Sequence, residues 1–275
     1  MHSSKSRKAR FLIFGLLALV MVFPFYYMLV LSFTPNESAL KYPPQLLPVH
    51  LTWSNYVQAW QSNHFQLYFL HSLWVSVVST VLGTLIACAA AFAISRFRFI
   101  GRKLIYVIFL GSMMVPSMTF ILPQFKEMEH LHLLNSLNGL LLVYTAGMIP
   151  FTTFLMKGFF DDIPKEIEDA VIIDGGGKWT LFWRIMMPMA LPSLVTAVLF
   201  NFMGGWDDYT LALTFINDPH KWTLPIALQL FQGQHTSAWG MIFAASVIQV
   251  LPIIVVFIVF QRHIIRGLMA GAVKG

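Results

Sequence analysis

Asp161–Pro188 reads DDIPKEIEDAVIIDGGGKWTLFWRIMMP, a polar island between two long apolar runs. Asp161 or Asp162 can cap a helix entered through Pro164, whose missing N–H has no partner to lose in a first turn. Glu166, Glu168 and Asp169 fall near the positive end of that helix, where carboxylates are favoured. Ile163, Ile167, Ala170 and Val171 recur at three- and four-residue spacing, so one face of a short helix is expected to be buried. Gly175–Gly177 closes it, because glycine adopts the left-handed conformation that ends a helix. A second helix with Trp179, Phe182 and Trp183 then leads through Pro188 into the next apolar run. Local physics leaves two readings open: a connector lying on a membrane surface, or a rigid knob presented to a protein partner. The acidity of the helix is poorly suited to an anionic leaflet and favours the knob.

Outward from this island the chain is mostly apolar. Of its 275 residues 57% are hydrophobic, 15% aromatic and only 11% charged, and its mean hydropathy is +0.69. Soluble domains carry about 25% charged residues, so a soluble globular enzyme is excluded. Six runs are long enough to cross a bilayer at roughly 20 residues each: Phe11–Phe33, Tyr68–Ser95, Leu104–Phe125, Leu137–Met156, Met186–Ile216 and Trp239–Gln261. Only the fifth holds ionisable carboxylates. The first exceeds the core of a signal peptide and no A-x-A cleavage pattern follows it, so an uncleaved helix is expected. The fold class is an all-α polytopic membrane protein with six transmembrane helices, its residues 1–275 forming a single transmembrane domain.

The placement of charge gives the orientation. Lys5, Arg7, Lys8 and Arg10, then Arg96, Arg98, Arg102 and Lys103, then Lys157, Lys165, Lys178 and Arg184, and finally Arg262, Arg266 and Lys274 all fall on one side of the six runs. Lys41, Lys126 and Lys221 alone fall on the other. By the positive-inside rule both termini and the Asp161–Pro188 loop are cytoplasmic. The net charge of +6 is thereby explained by topology, and no nucleic-acid partner is expected; the partner implied by composition is membrane lipid. Cys88 is the only cysteine, which rules out an intrachain disulfide and a cysteine-built metal site. His130 and His132 share a loop with Glu127 and Glu129 but lack the H-E-x-x-H spacing, so no metal site is expected.

Other features describe the bundle. Gly83, Ala87 and Ala91 recur every four residues and would let a neighbouring helix approach closely, as generic packing or as a dimer seam. Pro116, Pro123, Pro150, Pro188, Pro192 and Pro252 lie in or at the start of the last four runs, as kinks or as tolerated membrane prolines. Between the first two runs, Pro35, Pro43, Pro44 and Pro48 precede Trp53, Tyr56, Val57 and Trp60, which suggests a short interfacial helix with its aromatics at headgroup depth. Asp207 and Asp208 are the costliest residues in the chain to insert. Asn201, Gly204 and Asp208 share one helical face with Asp207 beside it. They read either as a polar lining for a hydroxylated solute, with Trp206 and Tyr209 as aromatic surfaces, or as a solvated or hydrogen-bonded pair near the external helix end. Gly175–Gly177 with Lys178 is not a phosphate loop, because Ile172 and Trp179 stand where that motif needs Gly and Ser or Thr.

In the Asp161–Pro188 loop the chain resembles the permease subunits of binding-protein-dependent ABC importers, whose signature is E-A-A, three residues, G, nine residues, I, one residue, L-P. Here Asp169, Ala170 and Val171 are followed after three residues by Gly175, and after nine more by Ile185, Met187 and Pro188. Asp174 before Gly175 makes the D-G pair typical of the sugar-transporting branch. Departures are Asp169 for Glu, Val171 for Ala, Gly176 for the usual Ala, and Met187 for Leu. The ending FQRHIIRGLMAGAVKG, the segment from Trp206 through Asp207 and Asp208 to Tyr209, the W-T-L-P of Trp222–Pro225, and the stretch from Pro43 to Tyr56 are similar to the smaller permease of maltose-type carbohydrate importers.

The resemblance implies a cytoplasmic coupling helix between the fourth and fifth spans, with Glu168, Asp169, Ala170, Val171, Asp174 and Gly175 contacting an ATPase. It implies a second homologous permease, two cytosolic ABC ATPase subunits holding ATP and Mg, an extracytoplasmic solute-binding protein reached by the loop Asn217–Ala238, and a bacterial inner-membrane location. No cofactor is expected on this chain, and no enzymatic activity. Asn201, Trp206, Asp207, Asp208 and Tyr209 are the pathway or gate candidates. A self-sufficient secondary transporter or channel, using Asp207 or Asp208 as an ion or proton site, would instead act without an ATPase. An intramembrane aspartyl enzyme needs two aspartates converging from different helices, whereas this pair is adjacent on one.

Overall fold

The computed structural model describes residues 2–39, 41–44, 46–47, 50–62, 64–234 and 238–272, with backbone alone at 2–9, 230–234 and 263–272. Pro48, Lys274 with the last residues of the tail, and 235–237 of the last long loop lie outside the described residues. Regular structure among the described residues is entirely helical. It runs α1 (His2–Ser32), α2 (Ser54–Gln61), α3 (Phe65–Arg96), α4 (Arg102–Met114), α5 (Ile121–His130), α6 (Leu137–Asp162) and α7 (Lys165–Ile173). There follow α8 (Lys178–Thr180), a π-helical turn at Leu181–Met186, α9 (Met187–Met189), α10 (Leu191–Trp206), α11 (Thr210–Phe215), α12 (Leu224–Gln234) and α13 (Trp239–Ala272).

Among the described residues four helical stretches are long and apolar enough to cross a membrane: Arg10–Ser32, Phe65–Arg96, Leu137–Asp162 and Trp239–Arg262. Two bent pairs raise the number to six, each counted as one span: Arg102–Met114 with Ser117–His130, bent by 106°, and Lys178–Met189 with Leu191–Trp206, bent by 78°. The third and fifth apolar runs are therefore not the continuous helices their composition suggests. In the third, Val115 is extended (φ −88°, ψ 128°), the conformation that the ring of Pro116 favours for the residue before it. In the fifth, the chain bends at Ala190 (φ −80°, ψ 4°) between Pro188 and Pro192. It breaks again after Trp206, where Asp207 (φ −100°, ψ 6°) ends the helix. Irregular backbone at membrane depth is tolerated where it is buried in protein or lines a cavity.

The chain forms two compact units. One comprises Met1–Gln66 and Ala227–Leu251 and is organised around Asn55. The buried Asn55 amide donates to the carbonyls of Ser32 (2.9 Å) and Thr34 (2.8 Å), the last acceptors of α1. A side chain at Gly240 would collide with Asn55 and with the Thr34 carbonyl, so glycine allows the start of α13 to pass close. Asn36 then accepts the Met241 N–H at 3.1 Å. The face of α2 that is buried carries Asn55 and Ala59, whereas Trp53 and Val57 of the expected aromatic face are exposed. Tyr56 shares a 2.7 Å hydrogen bond with Ser32 and packs on Phe33 at 5.0 Å.

The other unit comprises Leu67–Ile226 and Pro252–Gly275. Helices α3, α6 and α10 meet there at glycines: a Cβ at Gly83 would lie 3.1 Å from Met148 Cβ and 3.2 Å from the Thr145 carbonyl, and one at Gly205 would lie 3.4 Å from Tyr144. Ala87 and Ala91 are fully buried, and Thr153 of α6 donates to the Ala87 carbonyl at 3.4 Å. The small-residue stripe of α3 thus packs on α6 of the same chain. Close approach of this kind lets dispersion and polar contacts hold helices together where lipid supplies no hydrophobic drive.

Candidate functional site

Two places in the second unit carry the residues singled out by sequence. The first is the loop between α6 and α10. α6 runs through Asp162, so neither Asp161 nor Asp162 caps α7; its N-cap is Pro164, with no side-chain hydrogen bond. Asp161 instead pairs with Lys157 and accepts the Ser95 hydroxyl at 2.5 Å. Ile163 is buried, and Ile167 and Val171 pack beside it against a cluster containing Phe92, Met156, Phe160, Leu181, Phe182 and Met186. Ala170, expected on the same stripe, is exposed: the cluster packs on the larger Ile163, Ile167 and Val171 and does not reach its methyl group.

Glu168 also points inward. It forms an ion pair with Arg96 at the end of α3, the two side chains being only 12% and 6% exposed, and the same guanidinium donates to the Ile163 carbonyl at 2.9 Å. Arg96, whose position after a span marks it in the sequence only as a topology signal, fastens α7 to α3. The other end closes at Gly175, whose φ of +77° is strained for any side chain. The amides of Asp174, Gly175 and Gly176 return to the carbonyls of Ala170, Ile172 and Val171 at 3.0, 3.0 and 2.7 Å. A Cβ at Gly176 would strike Val171. Outward there remain Asp169, Ala170 and Asp174, together with Ile172, Ile173 and Trp179 at 58%, 84% and 74% exposure. The loop is a short helix bolted on one face and apolar at its free tip.

The second place is a cavity of about 850 Å³ between α4, α6 and α10. Two of the three helix breaks open onto it, at Met114–Ser117 and at Asp208, with Tyr144, Phe151, Phe200, Asn201 and Gly204 among its walls. Asp208 Oδ2 accepts the Tyr144 hydroxyl at 2.7 Å and the Ala212 N–H at 3.0 Å. That carboxylate replaces the carbonyl that a continuous helix would have offered Ala212, so the side chain itself sustains the break. Asn201 is 5% exposed, and its amide donates to Thr84 (3.0 Å) and Thr152 (2.9 Å), tying α10 to α3 and α6.

The remaining candidates fall elsewhere. Trp206 is fully buried, stacked on Phe202 at 5.7 Å and edge-on to Phe69 at 5.5 Å, and does not line the cavity. Asp207 and Tyr209 are exposed and do not line it either. The cavity's walls also include residues that the sequence reading passed over, Tyr144, Ser112, Ser117 and Gln124. The first half of the Asn217–Ala238 loop is held down: Asn135 accepts from the amides of Asn217 and Asp218 at 3.1 and 2.8 Å. Ser72 accepts the Leu224 amide at 2.7 Å. No group of three or more His, Cys, Asp or Glu side chains able to hold a metal occurs among the described residues.

Comparisons with known proteins agree in class. The model of the family described as binding-protein-dependent transport system inner membrane component matches residues 81–269. The diacetylchitobiose uptake system permease protein NgcG of Streptomyces coelicolor is 33% identical over 259 residues, covering 94% of this chain and 85% of that one. The trehalose/maltose transport system permease protein MalG of Thermococcus litoralis is 33% identical over 263 residues, covering 94% of each. The fold is similar to a chain in the crystal structure of a bacterial ABC transporter involved in the import of the acidic polysaccharide alginate. The TM-score is 0.83, with 22% identity, and the match covers 96% of this chain and 98% of that chain.

Proposed function

The chain belongs to the binding-protein-dependent transport system inner membrane components, and from that premise we propose that it is one of two permease subunits of an ATP-driven importer that moves a sugar or oligosaccharide by alternating access. It is a multi-pass protein of the bacterial cytoplasmic membrane. In this reading residues 1–275 act as one permease domain, both termini and the α6–α10 loop face the cytoplasm, and α7 is the helix that docks on an ATPase. ATP and Mg belong to two separate cytosolic ATPase subunits. A second homologous permease completes the pathway, and an extracytoplasmic solute-binding protein delivers the solute. The relatives named above, permeases of sugar uptake systems, support the solute class.

The observation that carries the proposal is the asymmetry of α7. Its inner face is fixed by Ile163, Ile167, Val171 and the Arg96–Glu168 pair, while Ile172, Ile173 and Trp179 stand exposed at its free end. Apolar side chains exposed beside a carboxylate-rich turn fit a groove on a protein better than a lipid headgroup layer. Movement of a docked partner would be passed through Arg96 into α3, and through Phe182 and Met186 toward α10.

In the assembled importer, D169K and G175W should lower ATP-coupled uptake by at least about tenfold while the chain stays in the membrane at its normal level. Uptake at the parent rate in both variants overturns the docking role of α7. Uptake by this chain without any ATPase would establish the secondary-transporter reading instead.

A further inference from the structure

The fold is shared with a chain of an importer of an acidic polysaccharide and does not decide which charge of solute passes; the side chains this chain places in the cavity bear on it. Among the described residues Asp208 is the only charged side chain in its walls, and neither Lys, Arg nor His lines it. The two donors that reach Asp208, the Tyr144 hydroxyl and the Ala212 amide, both bond Oδ2 and both are neutral. They satisfy one oxygen and leave the formal charge uncompensated. Recognition of carboxylate, sulfonate or phosphate groups relies on Arg or Lys forks, and this cavity offers none. What it offers is hydrogen-bonding side chains at Ser112, Ser117 and Gln124 and aromatic faces at Phe120, Phe151 and Phe200. Such a lining suits the hydroxyls and apolar ring faces of an uncharged saccharide.

Resting on the sugar-importer reading of this same site, we propose that Asp208 makes the cavity selective against anionic solutes, so that the chain passes neutral saccharides and turns away uronates and sugar phosphates. A like charge brought beside a carboxylate in a cleft with low-dielectric walls is repelled far more strongly than in water. The same field would raise the local concentration of cations.

The test uses the assembled importer in lipid nanodiscs carrying G204C. Gly204 lines the cavity and a Cβ there meets nothing within 4 Å; Gly147, which shares both properties, supplies a second position. Cys88 is fully buried, and the complex without the added cysteine gives the background. Cationic, neutral and anionic methanethiosulfonates of similar size are compared, each rate normalised to a small free thiol. The cationic reagent should react about ten times faster than the anionic one or more. D208N, whose amide oxygen can still accept from Tyr144 and Ala212, should bring the ratio close to one and change the neutral rate by less than about twofold. A ratio unmoved by D208N at both positions overturns the proposal, as does failure of the neutral reagent to react at either.

A second arm measures ATP-driven uptake of maltose, trehalose and diacetylchitobiose beside a galacturonate disaccharide. Uptake of the galacturonate at rates equal to a neutral sugar overturns the proposal. Charge-selective labelling with uptake confined to a solute that is not a saccharide overturns the sugar reading and leaves anion exclusion standing.

Discussion

Glu168 and Asp208 are both carboxylates at places where an apolar run is interrupted, yet they are satisfied in opposite ways. Glu168 meets the Arg96 guanidinium in a nearly closed pocket, so its charge is cancelled and what remains is a mechanical joint between α7 and α3. Asp208 meets a hydroxyl and a backbone amide, both at Oδ2, and no basic side chain faces it among the described walls of the cavity. The difference teaches that the partner, more than the carboxylate, decides whether an acidic residue in such a protein holds structure or shapes selection. It also separates the two regions: the loop is fixed by a nearly closed ion pair, and the break presents a carboxylate to a cavity.

The joint should be the more sensitive of the two. R96A or E168A leaves an uncompensated buried charge, a change that costs about 3–5 kcal/mol where buried pairs are broken. Each should abolish uptake and lower the thermal stability of the complex. R96M/E168L replaces the pair by apolar groups of similar volume and should recover most of the stability, measured by thermal unfolding. If R96A and the double variant are equally damaged, the pair is not the joint described here.

The next effect in size belongs to Asn201, which bridges the two regions along α10. N201A strands the buried hydroxyls of Thr84 and Thr152 at a cost of about 1–3 kcal/mol, and should appear as lower thermal stability with the G204C labelling ratio unchanged. Y144F is smaller. It removes one of two donors to Asp208, about 1 kcal/mol, and should leave the labelling ratio at least as large as in the parent, because the charge remains. A ratio that collapses in Y144F would break the contrast with Glu168. S95A, which removes the hydroxyl that donates to the exposed Asp161 and accepts from Arg96 Nη1, should shift stability by less than about 1 kcal/mol.

Much of the loop was legible because its signals are local. The acidic first turn, the apolar spacing and Gly175 each act within a few residues, and φ at Gly175 is indeed positive. The outward turn of Ala170 was not legible, since which part of a four-residue stripe is buried depends on where Phe92 and Phe182 stand. Nor was the Arg96–Glu168 pair, which joins residues far apart in sequence and whose arginine looks like any other basic residue after a span. Proline shows the same limit. Pro150 lies inside the unbroken α6 and Pro252 inside the unbroken α13, while Pro116 ends α4. The ring strains all three alike, and the neighbours that accept or refuse the freed carbonyl are tertiary. The cavity depended on two breaks that composition conceals, so Asp208 could be picked out as costly while Tyr144, its partner, could not.

The π-helical turn at Leu181–Met186 has a consequence for the orientation of the loop. Such a turn holds one residue more than an α-helical turn of the same height, and one residue is worth about 100° of rotation. Deleting a single residue there would let the turn relax to α geometry while the chain on either side keeps its rotation, so the knob should keep its aim. A residue added outside this turn has nothing to absorb it and would rotate the knob by about 100° with every one of its side chains intact.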